Sequence, residues 1–186
     1  LDGDQWLKAH DLPDCCRTWL DQYQQELRAD RALVRDGQPL LLVQVIPPKQ
    51  GLDRQDRQPG KWKASPATKL ERLLRDTGCE LGLVTNGAAF RLLFAPAGMN
   101  AGSITWTSAG MIQEKATLDA FAALLGRATV LAEGDVMSLL DICRLSRDRQ
   151  GDVADQLGVQ VRDGVERLLW AWDRADREVG GALLAD

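Results

Sequence analysis

The side chains best placed to do chemistry in this sequence lie between residues 49 and 63. Lys49, Arg54, Arg57, Lys61 and Lys63 crowd a polar stretch opposed only by Asp53 and Asp56, and Trp62 sits among them. Cations beside an aromatic ring suit contact with a phosphate backbone, the ring resting on a sugar or base. The same residues also make a solvated loop whose tryptophan covers a sheet edge, and residue types alone leave both readings open. Arg144, Arg147 and Arg149 form a second basic cluster, which reads first as a complement to a helix C-terminal dipole and second as a DNA contact. Cys15, Cys16, Cys79 and Cys143 show no Cys-x-x-Cys spacing, and His10 is the single histidine. That argues against a zinc site and for a reduced, cytoplasmic setting. Cys15-Cys16 reads as core packing, and Gly98, Gly102 and Gly110 build no phosphate-cradling motif.

The elements that must position these groups belong to a chain of 186 residues, enough for one core or for a core with an appended helical piece. Its 45% hydrophobic and 27% charged content is that of a globular protein, with no apolar run long enough to span a membrane and no signal-like start. A net charge of −4 excludes the overall basic balance of a stand-alone nucleic-acid binder, so any DNA contact must be local. The start at Leu1 rather than Met, and the Gly180-Gly181 tail, lead us to expect a piece of a longer protein.

Pro13-Asp14 reads as a helix start, and Cys16, Trp19, Leu20, Tyr23 and Leu27 recur at helical spacing, so a helix is expected over residues 13–28. Residues 31–35 and 40–46 form two strand-like runs joined across Asp36-Gly37, a pair that tolerates the positive φ of a tight hairpin turn. The second run is apolar except at Gln44, and a polar group in a buried strand is costly unless paired. Pro47-Pro48 stops it. Ser65 as N-cap, Pro66 at the first turn, Leu70, Leu73 and Leu74 as a stripe, and Gly78 as terminator define a helix. Residues 80–85, the Asn86-Gly87 turn and residues 89–95 read as a hairpin, with 103–107 as an edge strand. From Thr117 the pattern is helical, with helices over 118–125, 135–147 and 152–177. The last carries Val153, Leu157, Val161, Val165, Leu168, Leu169 and Trp172 on one face. Gly158 and Gly164 each cost that helix about 1 kcal/mol against alanine, so it needs a partner surface. Trp170 and Trp172 read as a docking surface or as core. The expected organisation is an α/β domain over residues 1–112 and a helical connector over 113–186.

The segment around Asp30 and 40–48 resembles the nuclease motif at the N-terminus of type I restriction subunits and type IIG restriction–modification enzymes. There an aspartate opens a hairpin and the buried strand ends in Glu-x-Lys before Pro. Residues 70–94, including Thr85-Asn86-Gly87, are similar to the N-terminal regions of adenine-specific methylases of type IIG and DISARM phage-defence systems. The resemblance covers residues 7–94 well and the helical remainder more loosely. It implies a PD-(D/E)xK restriction-endonuclease-like core, a mixed central sheet flanked by helices, followed by an α-helical connector toward a methyltransferase domain.

Carried over residue by residue, the resemblance makes Asp30 the metal-binding aspartate, Gln44 the second acidic position and Ile46 the lysine position. Mg²⁺ is held by charged oxygens while it activates water, and neither an amide nor a hydrocarbon supplies one. The resemblance therefore implies a degenerate site of Asp30, Gln44 and Lys49 that does not cleave, with Gln44 kept as a hydrogen-bonded core amide. The alternatives are an active Mg²⁺-dependent nuclease using Glu26, Asp30 and Lys49 as relocated ligands, or a protein-interaction scaffold. The Asn-Pro-Pro-Tyr signature of an amino-methyltransferase is absent, so S-adenosylmethionine belongs to the parent protein. The implied partners are DNA, through Lys49, Arg54, Arg57, Lys61, Trp62 and Lys63, and other defence-system subunits.

Overall fold

The computed structural model describes residues 4–55, 61–134, 136–178 and 180. Strands β1 (Asp4–Lys8), β4 (Arg31–Arg35), β5 (Gln38–Val45), β6 (Leu81–Thr85), β7 (Ala89–Phe94) and β8 (Gly102–Thr107) form one sheet in the order β1-β4-β5-β6-β7-β8. Its neighbours are antiparallel except β5 and β6, which run parallel with Gln44 opposite Val84. A parallel pair needs a crossover, and helix α1 (Pro66–Thr77) supplies it. The α/β class, with a mixed sheet and helices, is as the sequence indicates.

Local chemistry sets the corners. Asp36 and Gly37 have φ of 49° and 79°, the two positive values that a type I′ hairpin requires. Asn86 accepts from the Ala88 and Ala89 N–H groups through Oδ1 at 3.0 and 2.8 Å, closing the β6–β7 turn with Gly87 at φ 84°. The Ser65 hydroxyl accepts from the Thr68 N–H at 3.2 Å, Pro66 follows, and Gly78 ends α1 in the left-handed region. Leu70, Leu73 and Leu74 are thereby buried against one sheet face, with Ala32, Val34, Leu42 and Val84. On the opposite face, Phe121 of α3 (Lys115–Leu125) meets Phe90 and Trp106 edge-on, with ring centroids 5.3 and 5.4 Å away. The short helices α2 (Ser108–Gln113) and α4 (Arg127–Val130) flank α3. Arg35 ties the segment after α4 to β4 by donating to the Leu131 carbonyl and pairing with Glu133.

Three expected elements are replaced. Residues 13–28 form no α-helix but a 3₁₀ turn, strand β2 (Arg17–Leu20), a second 3₁₀ turn and strand β3 (Gln25–Arg28), paired as a separate two-stranded sheet. A helix would put Trp19 and Tyr23 on the buried side, whereas the hairpin buries Cys16, Leu20 and Leu27 and leaves both rings exposed. Gln24 makes the corner with φ 45° and ψ 47°, a conformation that its residue type does not announce. The helices expected over 135–147 and 152–177 are one helix, α5 (Leu139–Glu178), which runs through Gly151. Arg144, Arg147 and Arg149 consequently lie within α5, where no C-terminal dipole exists for them to complement. The chain divides into compact units of residues 1–140 and 141–186, so the helices up to α4 belong to the unit that holds the sheet.

Candidate functional site

Asp30 stands at the entry to β4, next to the C-terminal half of β5. Its N–H donates to the Val43 carbonyl at 2.9 Å, and its Oδ2 accepts from the Val45 N–H at 2.7 Å. The last paired residues are Arg31 and Val43, so the register brings Asp30 alongside Gln44. Gln44 is half-buried, and its Oε1 is fully enclosed without a hydrogen-bond partner. The expected hydrogen-bonded core amide is therefore not what this carbonyl makes. Ile46 is buried, its N–H donating to the Thr85 carbonyl at 2.8 Å, so its side chain fills core where a cation would have to stand.

The chain after β5 is pinned at several points to this edge of the sheet. The Asn86 amide donates to the Gln50 carbonyl at 2.9 Å, and Leu52 is buried. Asp53 forms a two-pronged ion pair with Arg91 of β7, one contact being 3.0 Å, and Arg91 also donates to Thr105 at 2.8 Å. Hydrogen bonding from Arg91 holds the Asp53 carboxyl below its ordinary range. The Trp62 N–H donates to Gln25 at 3.0 Å, and its ring stacks on Tyr23 with centroids 5.4 Å apart. Trp62 thus has one face on Tyr23 and packs against the core, as an anchor of the loop on the β2–β3 hairpin.

Lys49, Arg54, Lys61 and Lys63 remain exposed, and none of their side chains makes an ion pair or hydrogen bond among the described residues. Arg57 lies outside the described residues, as does Asp56. Side-chain cations without a partner among the described residues can bind an anion without first breaking a bridge to any of those residues. The Asp53–Arg91 bridge and the Gln50–Asn86 bond escaped the sequence reading. The only signal was the placement of Arg91 between Phe90 and Leu92, which turns it toward the α1 side of the sheet.

The donor set does not suit a hard divalent ion. Glu26 is exposed and pairs with Arg17 at 3.3 Å, and Lys49 contributes no carboxylate. Among the described residues, no group of three or more His, Cys, Asp or Glu side chains could hold a metal ion. Among them too, no helix is long and apolar enough to cross a membrane. No protein-family model, curated protein or solved structure matches the chain.

Proposed function

We propose that this chain is a degenerate, non-cleaving PD-(D/E)xK-like domain that supports DNA engagement within an adenine-specific DNA methyltransferase of a restriction–modification or phage-defence system. One observation carries the reading: Asp30 and Gln44 lie together at the C-terminal half of β5, where the resemblance asks for a metal-binding pair, and only one of them is a carboxylate. That carboxylate already accepts a backbone hydrogen bond, Gln44 offers an uncharged oxygen, and Ile46 brings no proton-transfer group. Hydrolysis at this place therefore falls to background, and the fold serves to hold the loop that carries Lys49, Arg54, Lys61 and Lys63. Those side chains neutralise phosphates, while Trp62 keeps the loop seated on the β2–β3 hairpin. Methyl transfer from S-adenosylmethionine is made by another region of a longer cytoplasmic protein, which also meets the other subunits of the system.

Two assays test this. Duplex DNA incubated with the chain and Mg²⁺ or Mn²⁺ should stay intact; cleavage abolished by Asp30→Ala would restore the active-nuclease reading with relocated ligands. Fluorescence anisotropy with duplex DNA should show binding that weakens steeply with salt, and Lys61→Ala or Lys63→Ala should each reduce the salt slope by about 1. Binding that is absent at low salt, or unchanged across the titration, would favour the scaffold reading.

A further inference from the structure

The two edges of the six-stranded sheet differ in chemistry. β1 carries the exposed Lys8, whereas β8 reads Gly-Ser-Ile-Thr-Trp-Thr, with no charge, no proline and no bulge against β7. Charge, proline and bulges are the devices by which an edge strand avoids pairing, and β8 has none of them. The ladder fixes where its free groups point. The Ser108 N–H donates to the Ala88 carbonyl at 2.8 Å, so Trp106, Ile104 and Gly102, at alternate positions, turn their main-chain groups toward β7. Ser103 and Thr105 turn theirs outward, and among the described residues those outward groups make no hydrogen bond. Both residues are exposed, as is Ile104 at 45%.

Gly102 points to what pairs there. Its φ is not positive and a Cβ on it would meet nothing within 4 Å, so neither a turn nor packing inside the chain asks for glycine. A second copy of β8 does ask for it. With a two-fold axis at Ile104, antiparallel pairing sets Ser103 against Thr105, Ile104 against Ile104 and Gly102 against Trp106. Each Ser103–Thr105 pair exchanges two main-chain hydrogen bonds, and the two Ile104 side chains cover each other. Trp106 is 4% exposed and packed edge-on with Phe121, so the residue opposite it must bring no side chain. An axis at Thr105 would instead press Ile104 on that ring and draw in Thr107, which already caps α2. An axis at Ser103 would leave Ile104 facing Gly102, uncovered. The nearest cation, Arg91, is held by Asp53 while it bonds Thr105, so self-pairing brings no unmatched charge to the contact. A charged foreign strand would find no opposite charge on β8.

We infer that β8 is a self-association edge, on which a second copy of this chain adds its own β8 antiparallel, with Ile104 at the two-fold axis and Gly102 against Trp106. The contact is one strand wide and falls below the roughly 1,200 Å² at which standard interfaces begin, so the dimer is weak and reversible. It stands apart from the DNA-binding reading, since it uses none of the residues of that loop.

Sedimentation velocity of the 186-residue chain from about 1 to about 500 μM tests it. The expected result is a monomer–dimer equilibrium with a midpoint on the order of 100 μM. Ile104→Lys and Ile104→Glu should each abolish it, because like charges then stand face to face, and an equal mixture of the two should recover it, because Lys then meets Glu. Ser103→Pro removes an outward N–H while sparing the ladder to β7, and should weaken the dimer about tenfold. Circular dichroism checks that each variant is folded; the two Ile104 variants serve if Ser103→Pro unfolds, since that side chain is 45% exposed. A monomer throughout overturns the proposal. So does a dimer that survives Ile104→Lys, or a Lys–Glu mixture that stays monomeric, since the contact would lie elsewhere or in another register.

Discussion

Asp30 lies beside Gln44 because Leu40 is an extra residue in the β4–β5 ladder. Arg35 pairs with Gln38 and Val34 with Pro39, but Leu33 pairs with Leu41, so one residue of β5 is skipped. Without that bulge, Asp30 would align with Val43, and Gln44 would face the other side of the sheet. The bulge thus decides which side chain accompanies the carboxylate, and it also directs the Asp30 carboxylate to the Val45 N–H at 2.7 Å.

That bond sets the first prediction. Asp30→Ala leaves the Val45 N–H without its acceptor, but Val45 is 52% exposed and water can replace it. The expected cost is about 1 kcal/mol, at the low end for a charged acceptor, and Asp30→Asn, which retains an acceptor oxygen, should cost less. Urea unfolding of the two variants measures the difference. A cost well above 3 kcal/mol would mean that Asp30 does more than close the ladder.

The second prediction concerns the seam between α1 and the sheet. A Cβ on Gly82 would lie 2.9 Å from Leu74 Cδ1 and 3.0 Å from Leu70 Cδ2. Both leucines are fully buried, so neither methyl can swing into open space. Gly82→Ala should therefore destabilise the chain by about 1–3 kcal/mol through overpacking, read as a lower urea midpoint at unchanged slope. A neutral substitution would show that α1 rides further from β6.

What could be read from the sequence follows from where the information resides. Ser65, Pro66 and Gly78 bound α1 by chemistry within a few residues, and Asp36-Gly37 and Asn86-Gly87 form their turns in the same local way. Residues 13–28 fail for the opposite reason: the apolar spacing fits a helix, and only the burial of Leu20 and Leu27 against α1 and the sheet makes the hairpin the better packing. Strand β1 has no signal of its own and exists through pairing with β4. At the candidate site, Gln44 is conspicuous as a polar residue in a buried run, and the loop cations stand out in an acidic chain. The Leu40 bulge and the Asp53–Arg91 bridge are not visible, since one is a matter of register and the other joins residues 38 apart.

Asp53 gives the third prediction. Its folded carboxyl titrates below the ordinary value of 3.8 because Arg91 bonds the ionised form. The stabilisation is therefore present above about pH 3.8 and is lost as pH falls through the depressed folded value. The Asp53 side chain is 72% exposed, so solvent screening keeps the effect below about 1 kcal/mol. Urea midpoints of the parent chain and Asp53→Asn should differ near neutral pH and converge in acid. A gap that stays constant to about pH 2 would point to packing rather than charge as the cause.

The fourth prediction has the opposite sign on the alkaline side. Burial first, and then the adjacent Cys15 thiol, push the Cys16 thiol up from 9.0 to about 12, and burial pushes Cys79 up to about 11. Both thiols are raised in the folded chain, so the unfolded chain ionises first as pH passes 9.0. Their contribution is complete below that value and is lost as pH climbs toward 11 and 12, so stability should fall through this window. Replacing both by alanine lowers stability at neutral pH through lost packing, but it should flatten the alkaline slope, since the two raised thiols are then gone. Alkylation gives a separate reading: thiolate is the nucleophile, so in the native chain Cys16 and Cys79 should resist iodoacetamide at about pH 8 and react only once denaturant opens the core. Rapid native modification of Cys79, which is 3% exposed, would require α1 and β6 to part far more readily than their packing allows.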